Sequence, residues 1–130
     1  MRIIFLGLIL MLVFGGAEAA DGQKTHSVSV KVGREKTVAR TGIRVRFVEM
    51  VEDSRCPTDT NCIWAGNAKI RLRVSRKGRS KVIELNSGME NKDDRFAGYE
   101  FKLTALTPEP RSNIRINPRG YVASITIKPA

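Results

Sequence analysis

The most regular stretch of the sequence is AKIRLRV, residues 68–74, in which apolar and basic side chains alternate one by one. Strict alternation places successive side chains on opposite faces, so it predicts a β-strand with one buried and one solvent-facing side. The same period recurs along the chain, and no segment keeps a helical period. Working outward from 68–74, the predicted strands are 26–32, a short one at 36–40, 43–51, 81–86, one that opens at 99–103, and 121–128.

Turn-forming residues lie between these strands. A hairpin turn is predicted at 76–79, which contains Gly78, and Pro108 and Pro110 begin a long connection that ends at 117–120. Six or seven strands with this spacing predict an all-β domain, an antiparallel β-sandwich that is immunoglobulin-like in outline, with a small β-barrel as the alternative. A length of 130 residues and 42% hydrophobic residues favour one folded domain and exclude a large multi-domain enzyme and a disordered chain.

The first nineteen residues predict a signal peptide. Arg2 precedes an apolar run at 3–14, and small residues end at Ala17-Glu18-Ala19, which predicts cleavage after Ala19. An uncleaved membrane anchor is the alternative, but the run is shorter than the roughly 20 apolar residues that span a bilayer. The first cysteine is Cys56, so no lipid anchor is expected at the cleavage point. Residues 20–130 are then expected to form a single exported domain without a membrane span.

The two cysteines fit an oxidising compartment. Cys56 and Cys62 have five residues between them, and a pair this close most simply forms one disulfide there. A redox-active pair normally has two intervening residues, and a zinc site needs four ligands, whereas the only histidine is His26. We therefore expect a structural disulfide, no metal site and no cofactor.

Residues 52–66 lie between the two most regular strands and contain the disulfide and the only tryptophan. A closed loop on a regular scaffold is a common place for a binding surface, because a pre-ordered loop loses little entropy on binding. In the alternative interpretation the disulfide ties a strand crossover, and Trp64 packs on it as part of the core, which we expect because a buried aromatic ring removes much area from water. Asp53 and Arg55 are expected to form an ion pair or to cap the turn. The candidate partner-binding residues of the loop are Arg55, Pro57, Asp59, Asn61 and Trp64.

The same loop carries a family resemblance. DSRCP at 53–57 followed by CIWAGNA at 62–68 resembles the DSRCP…CxWAGxA signature of a family of small exported bacterial proteins and lipoproteins. Further segments follow in a similar order at 98–103, 106–110 and 116–118, so that the resemblance covers most of 43–128. It implies a bacterial origin, export to the periplasm or the exterior, and an all-β domain. It brings no activity and no catalytic residue with it.

The second candidate site is a basic face. The chain has 23 Lys and Arg residues against 13 Asp and Glu, a net charge of +10. If strands 43–51 and 68–74 share a sheet, their outward side chains form one cationic face that attracts anionic envelope polymers. The alternative is a solvated face that keeps the protein soluble. Specific nucleic-acid binding is not expected, because no aromatic side chain shares these outward positions. The five residues of this face are Arg44, Arg46, Lys69, Arg71 and Arg73.

The sequence offers little for catalysis. His26 is the only histidine, and both cysteines are expected to be oxidised, so we predict no catalytic residues. The interpretation that these patterns favour is a non-enzymatic binding module that presents residues 52–66 to a protein partner. The alternatives are an electrostatic binder of anionic polymers and a structural accessory domain of the envelope.

Overall fold

A computed structural model describes Gly15 and residues 24–130 of the chain. Apart from Gly15, the predicted signal peptide at 1–19 and its cleavage point lie outside the described residues. The described residues contain no helix, and hence none that is long and apolar enough to cross a membrane. The strands are β1 (His26–Lys31), β2 (Glu35–Thr37), β3 (Arg44–Asp53), β4 (Ala68–Arg76), β5 (Arg79–Asn86), β6 (Arg95–Phe96), β7 (Tyr99–Thr107) and β8 (Val122–Pro129).

The strands form two antiparallel four-stranded sheets, which confirms the predicted all-β sandwich. One sheet has the order β1-β8-β7-β6 and the other the order β2-β3-β4-β5. Within each sheet, neighbouring strands are consecutive in the chain except β1 and β8. This meander differs from the Greek-key connections of immunoglobulin domains, so the likeness to them is limited to the two-layer outline.

The core lies between the sheets because the predicted alternation turns one face of each strand inward. Val45 and Phe47 of β3 and Leu72 of β4 are fully buried, and Phe101 of β7 and Ile125 of β8 are fully buried as well. Phe47 and Phe101 are the largest of the fully buried side chains. The β3–β4 loop leaves the sandwich at one end, and the β4–β5 hairpin lies at the other.

The short elements depart from the sequence prediction for local reasons. The predicted hairpin turn is present, with positive φ at both Lys77 (49°) and Gly78 (78°), as the preferred two-residue turn requires. A similar turn at Ala97 and Gly98 creates β6, which was not predicted because two residues are too few to show a period. The predicted strand at 36–40 is shifted to 35–37, because Arg40 takes a positive φ of 66° and turns the chain.

Candidate functional site

The loop between β3 and β4 is closed by the predicted disulfide. Cys56 and Cys62 are bonded, with their Cα atoms 5.9 Å apart, within the ordinary range for a disulfide. The Cys56 N–H also donates to the Ala65 carbonyl at 3.0 Å, so the two sides of the loop are joined by a covalent and a hydrogen bond. The loop is therefore held in one shape at its neck.

Two large apolar side chains stand at the tip of this loop. Ile63 is fully exposed, and Trp64 keeps 60% of its surface exposed. The prediction that Trp64 packs in the core is wrong. The loop projects beyond the end of the sheets, and the space between the sheets is filled by side chains of the strands, Phe47 and Phe101 among them. Ile63 was not predicted as a site residue. Its position in a loop without alternation, beside Trp64, was the signal that could have found it.

Arg55 fastens the loop to the opposite sheet. Its Nε and Nη2 donate to the two carboxylate oxygens of Asp53 at 2.8 and 3.0 Å, which is the predicted ion pair. Its Nη1 donates to the Leu106 carbonyl at 2.8 Å, and Nη2 also donates to the Pro108 carbonyl at 3.0 Å. Only 13% of the Arg55 side chain is exposed, so this predicted partner-binding residue offers a partner little surface.

Asp53 joins this anchor to the core. The Tyr121 hydroxyl donates to Asp53 Oδ2 at 2.8 Å. Burial alone would raise the pKa of Asp53, but hydrogen bonds from Arg55 and Tyr121 and the charge of Arg55 outweigh it and lower the pKa. Burial, together with the hydrogen bond to Asp53 and its negative charge, raises the pKa of Tyr121 to about 12. The three side chains form one network under the loop.

A second set of hydrogen bonds ties the other side of the loop to the connection between β7 and β8. Asp59 accepts from the Ser112 backbone N–H at 3.0 Å and from the Ser112 hydroxyl at 2.6 Å. The hydroxyl and then the backbone hydrogen bond from Ser112 lower the pKa of Asp59. The Thr58 N–H donates to the Pro110 carbonyl at 2.9 Å. Asp59 is exposed, but its carboxylate is held by these bonds.

The remaining candidate residues of the loop are Pro57 and Asn61. Pro57 is half-buried, and its carbonyl accepts from the Thr60 N–H at 3.2 Å, which closes a turn inside the disulfide ring. Asn61 is exposed, and among the described residues its side chain has no hydrogen bond. Asn61 therefore lies at the surface of the loop, two residues before Ile63 in the sequence.

The loop returns to β4 through a tightly packed backbone. Gly66 has a φ of 76°, and a Cβ there would lie 1.9 Å from the Ser54 carbonyl oxygen. A Cβ on Gly88 would lie 2.3 Å from the Gly66 carbonyl oxygen. The buried Asn67 side chain donates to Asn86 at 3.0 Å and accepts from the Gly88 N–H at 2.9 Å. Backbone contact at these glycines fixes the direction in which the loop leaves the sandwich.

The basic face is present on the sheet that contains β3 and β4. The two strands are antiparallel neighbours, with Arg46 directly opposite Arg73, and the apolar residues that alternate with the cations are buried. The structure therefore places the five predicted cations on one outward face, as alternation implies. These are Arg44, Arg46, Lys69, Arg71 and Arg73.

Two register shifts in β3 give part of this face acidic partners. They place Glu49 opposite Arg71 and Glu52 opposite Lys69. Arg71 binds Glu49 and also Glu84 of β5, whose oxygen lies 3.0 Å from its Nη2. The hydrogen bond to Glu84 and the two carboxylate charges raise the pKa of Arg71. The uncompensated positive charge is thus shifted toward the β4–β5 hairpin.

Comparison with known proteins gave no relative. No protein-family model, no curated protein and no solved structure matches this chain. The site is accordingly described from its own geometry, which has two parts at opposite ends of the sandwich. One is the loop tip at Ile63 and Trp64, and the other is the cationic end near the hairpin.

Proposed function

We propose that this protein is an exported, non-enzymatic binding module of the bacterial envelope or exterior, and that it holds a protein partner with the apolar tip formed by Ile63 and Trp64. The observation that carries the proposal is the exposure of these two adjacent side chains on a loop fixed by a disulfide and by hydrogen bonds to the other sheet. Single exposed apolar residues are common on protein surfaces, but a pair on a rigid projection is a feature of binding sites.

The energetics favour this tip as an anchor. A tryptophan side chain buries about 150–250 Å² when it is covered, so the 60% of Trp64 that is exposed represents about 3 kcal/mol of gross hydrophobic stabilisation. Ordering a flexible loop would consume much of that gain. Here the Arg55 and Asp59 hydrogen bonds hold the loop before any partner arrives. Asn61, which is exposed on the same loop, is available for a polar contact.

The disulfide and the family resemblance support the proposed location. A formed disulfide between Cys56 and Cys62 fits a protein that folds in an oxidising compartment. The DSRCP…CxWAGxA signature is similar to that of exported bacterial proteins, and the residues of that signature build the disulfide, the Arg55 anchor and the Gly66 turn. The signature thus describes the loop that we propose as the binding element.

Electrostatic binding through the whole five-cation face is a weaker candidate. Arg71 is paired with two glutamates, and Lys69 lies opposite Glu52, so two of the five cations of the face have their own counter-charges. Attraction of polymers by this face would depend on the few cations that remain near the hairpin. That region is better described as a local site than as a broad surface.

The test is a capture experiment with matched variants. The disulfide-intact domain is immobilised as wild type, as I63A/W64A and as V48A/V82A, and a bacterial envelope extract is passed over each at physiological salt. Val48 and Val82 are also exposed apolar residues, but they lie on strands away from the loop. We expect one protein to be retained by the wild type and by V48A/V82A and lost from I63A/W64A.

Two results would contradict the proposal. Retention of the same proteins by all three forms would show that the tip is not the binding surface. Retention of nothing would favour the structural accessory domain. The three forms are expected to have the same free energy of unfolding within about 2 kcal/mol, because the replaced side chains are exposed.

A further inference from the structure

A second concave surface lies at the hairpin end of the sandwich, opposite the loop. It is an open depression of about 510 Å³ between the start of β3 and the β4–β5 hairpin. Its lining is basic and hydroxylic, and within the described part of the chain no Asp or Glu lines it. The side chains that define it are those of Arg44, Arg73, Ser75, Arg76, Lys77, Arg79 and Ser80.

The strand register concentrates these cations. Arg76 pairs directly with Arg79 across the hairpin, and Lys77 lies in the turn between them. Arg44 lies opposite Ser75, which places Arg73 diagonally next to it on the same face of the sheet. Arg44 forms a long, exposed ion pair with Glu35, whose Oε1 is 3.9 Å from Arg44 Nε, too far for a hydrogen bond. Like charges this close repel one another unless an anion lies among them.

Arg76 differs from Arg44 and Arg73 in the direction of its side chain. It has the alternation parity of Leu72 and Val74, whose side chains are buried between the sheets. Its Nε is buried, and within the described residues this atom has no hydrogen-bond partner. A buried donor without an acceptor is costly, and each such group in a folded protein calls for an explanation. The buried Nε is out of reach of a solvent-sized atom and so does not itself contact a ligand, but Arg76 as a whole is half-buried and lines the concavity.

We propose that this concavity is a binding site for phosphate groups, and that its ligand carries two or more of them. Guanidinium groups match the geometry of phosphate oxygens with paired N–H donors, and four of the five lining cations are arginines. One phosphate carries at most two negative charges at neutral pH, which does not balance five cations. The Ser75 and Ser80 hydroxyls add neutral donors, as phosphate sites commonly do.

This site is separate from the one proposed for the protein partner. The hairpin and the disulfide loop lie at opposite ends of β4, with nine residues of strand between them. A phosphorylated ligand and a protein can therefore be bound at the same time. Failure of either proposal leaves the other standing, because the two tests use different variants.

The experiment is titration calorimetry of the disulfide-intact protein with inorganic tripolyphosphate and with inorganic phosphate at low salt. We expect saturable binding of tripolyphosphate, and weaker binding of phosphate. R44Q/R79Q should weaken tripolyphosphate binding by about tenfold to a hundredfold. R115Q/R119Q removes the same charge from exposed arginines of the β7–β8 connection, outside the concavity, and should leave the affinity within about threefold of wild type.

A third variant tests the arginine geometry rather than the charge. R76K keeps the positive charge but removes the paired guanidinium donors, so we expect it to weaken tripolyphosphate binding without loss of stability. Equal affinities of R44Q/R79Q and R115Q/R119Q would overturn the proposal, because attraction would then follow net charge alone. Absence of tripolyphosphate binding to the folded wild type at low salt would also overturn it.

Phosphate groups reach such a site from two sources, which vesicles distinguish. Co-sedimentation with phosphatidylcholine vesicles that contain phosphatidic acid, lost in R44Q/R79Q and kept in R115Q/R119Q, assigns the site to lipid phosphate headgroups. Binding of tripolyphosphate without any vesicle binding assigns it to soluble phosphorylated molecules. Vesicle binding that is equal in both double variants counts against the site.

Discussion

Replacing Asp53 with asparagine tests the anchor that holds the disulfide loop. Asp53 receives two hydrogen bonds from the Arg55 guanidinium and one from the Tyr121 hydroxyl. D53N keeps the size of the side chain and removes its charge. Arg55 would then keep its bonds to the Leu106 and Pro108 carbonyls and could donate to the single amide oxygen, but it would lose one hydrogen bond and its counter-ion.

The size of the effect follows from the burial of the pair. Breaking a fully buried ion pair costs about 3–5 kcal/mol, and exposed pairs contribute about 0.2–1 kcal/mol. The Arg55 and Asp53 side chains are 13% and 16% exposed, which is between these cases and closer to the buried one. We expect D53N to lower the free energy of unfolding by about 2 kcal/mol at neutral pH.

The pH dependence gives the prediction its sharpest form. The pKa of Asp53 is lowered in the folded protein. The ionised carboxylate therefore adds to the free energy of unfolding above the ordinary pKa of 3.8, and this contribution is lost as pH falls through the lower pKa of the folded state. Wild type and D53N should therefore differ in urea unfolding at about pH 7, and the difference should shrink as pH falls below the ordinary range of an aspartate pKa. E109Q, which changes an exposed carboxylate, should stay within about 0.5 kcal/mol of wild type. A D53N effect below about 0.5 kcal/mol at neutral pH, or a difference that does not shrink as pH falls, would refute the reasoning.

Three other changes have defined outcomes. Wild type should lose stability as pH rises from about 10 to about 12, because the Tyr121 hydroxyl, whose pKa is raised to about 12, stabilises the fold only while it is protonated. Y121F should not show this loss, which urea unfolding across that pH range measures. G66A should lower the free energy of unfolding by at least about 3 kcal/mol, since the added Cβ would lie 1.9 Å from a backbone oxygen. G33A, at a similar positive φ but in open space, should lower it by about 1 kcal/mol, and equal losses would contradict the close packing. C56S/C62S should lower the free energy of unfolding by about 2 kcal/mol and leave the domain folded, since the core lies elsewhere. Urea unfolding measures the loss, and a circular dichroism spectrum of an unfolded chain would contradict the prediction.

The strands and the sandwich could be predicted from the sequence because their physical cause is local. In β4, apolar Ile70, Leu72 and Val74 alternate with basic residues, and a β-strand is the structure that buries every second residue on one face. The disulfide was predictable for a similar reason, because Cys56 and Cys62 are close in sequence. The Asp53–Arg55 pair also joins near neighbours.

The rest depends on contacts between distant parts of the chain. The exposure of Trp64 follows from where the loop projects, and that is set by the backbone packing of Gly66 against Ser54 and by the hydrogen bonds to the β7–β8 connection. The register shifts that place Glu49 opposite Arg71 leave no mark in a period-two pattern. The basic face was therefore predicted with the right members, whereas the register that gives part of it acidic partners could not be predicted from the sequence.

Trp64 fluorescence tests the central claim most directly, because it is the only tryptophan in the chain. In the free protein we expect emission of the solvent-exposed type and acrylamide quenching close to that of the unfolded chain. On titration with the protein retained by wild type and lost from I63A/W64A, the emission should shift to shorter wavelength and the quenching should fall. Shielded emission in the free protein, or emission that stays unchanged in the complex, would contradict the account.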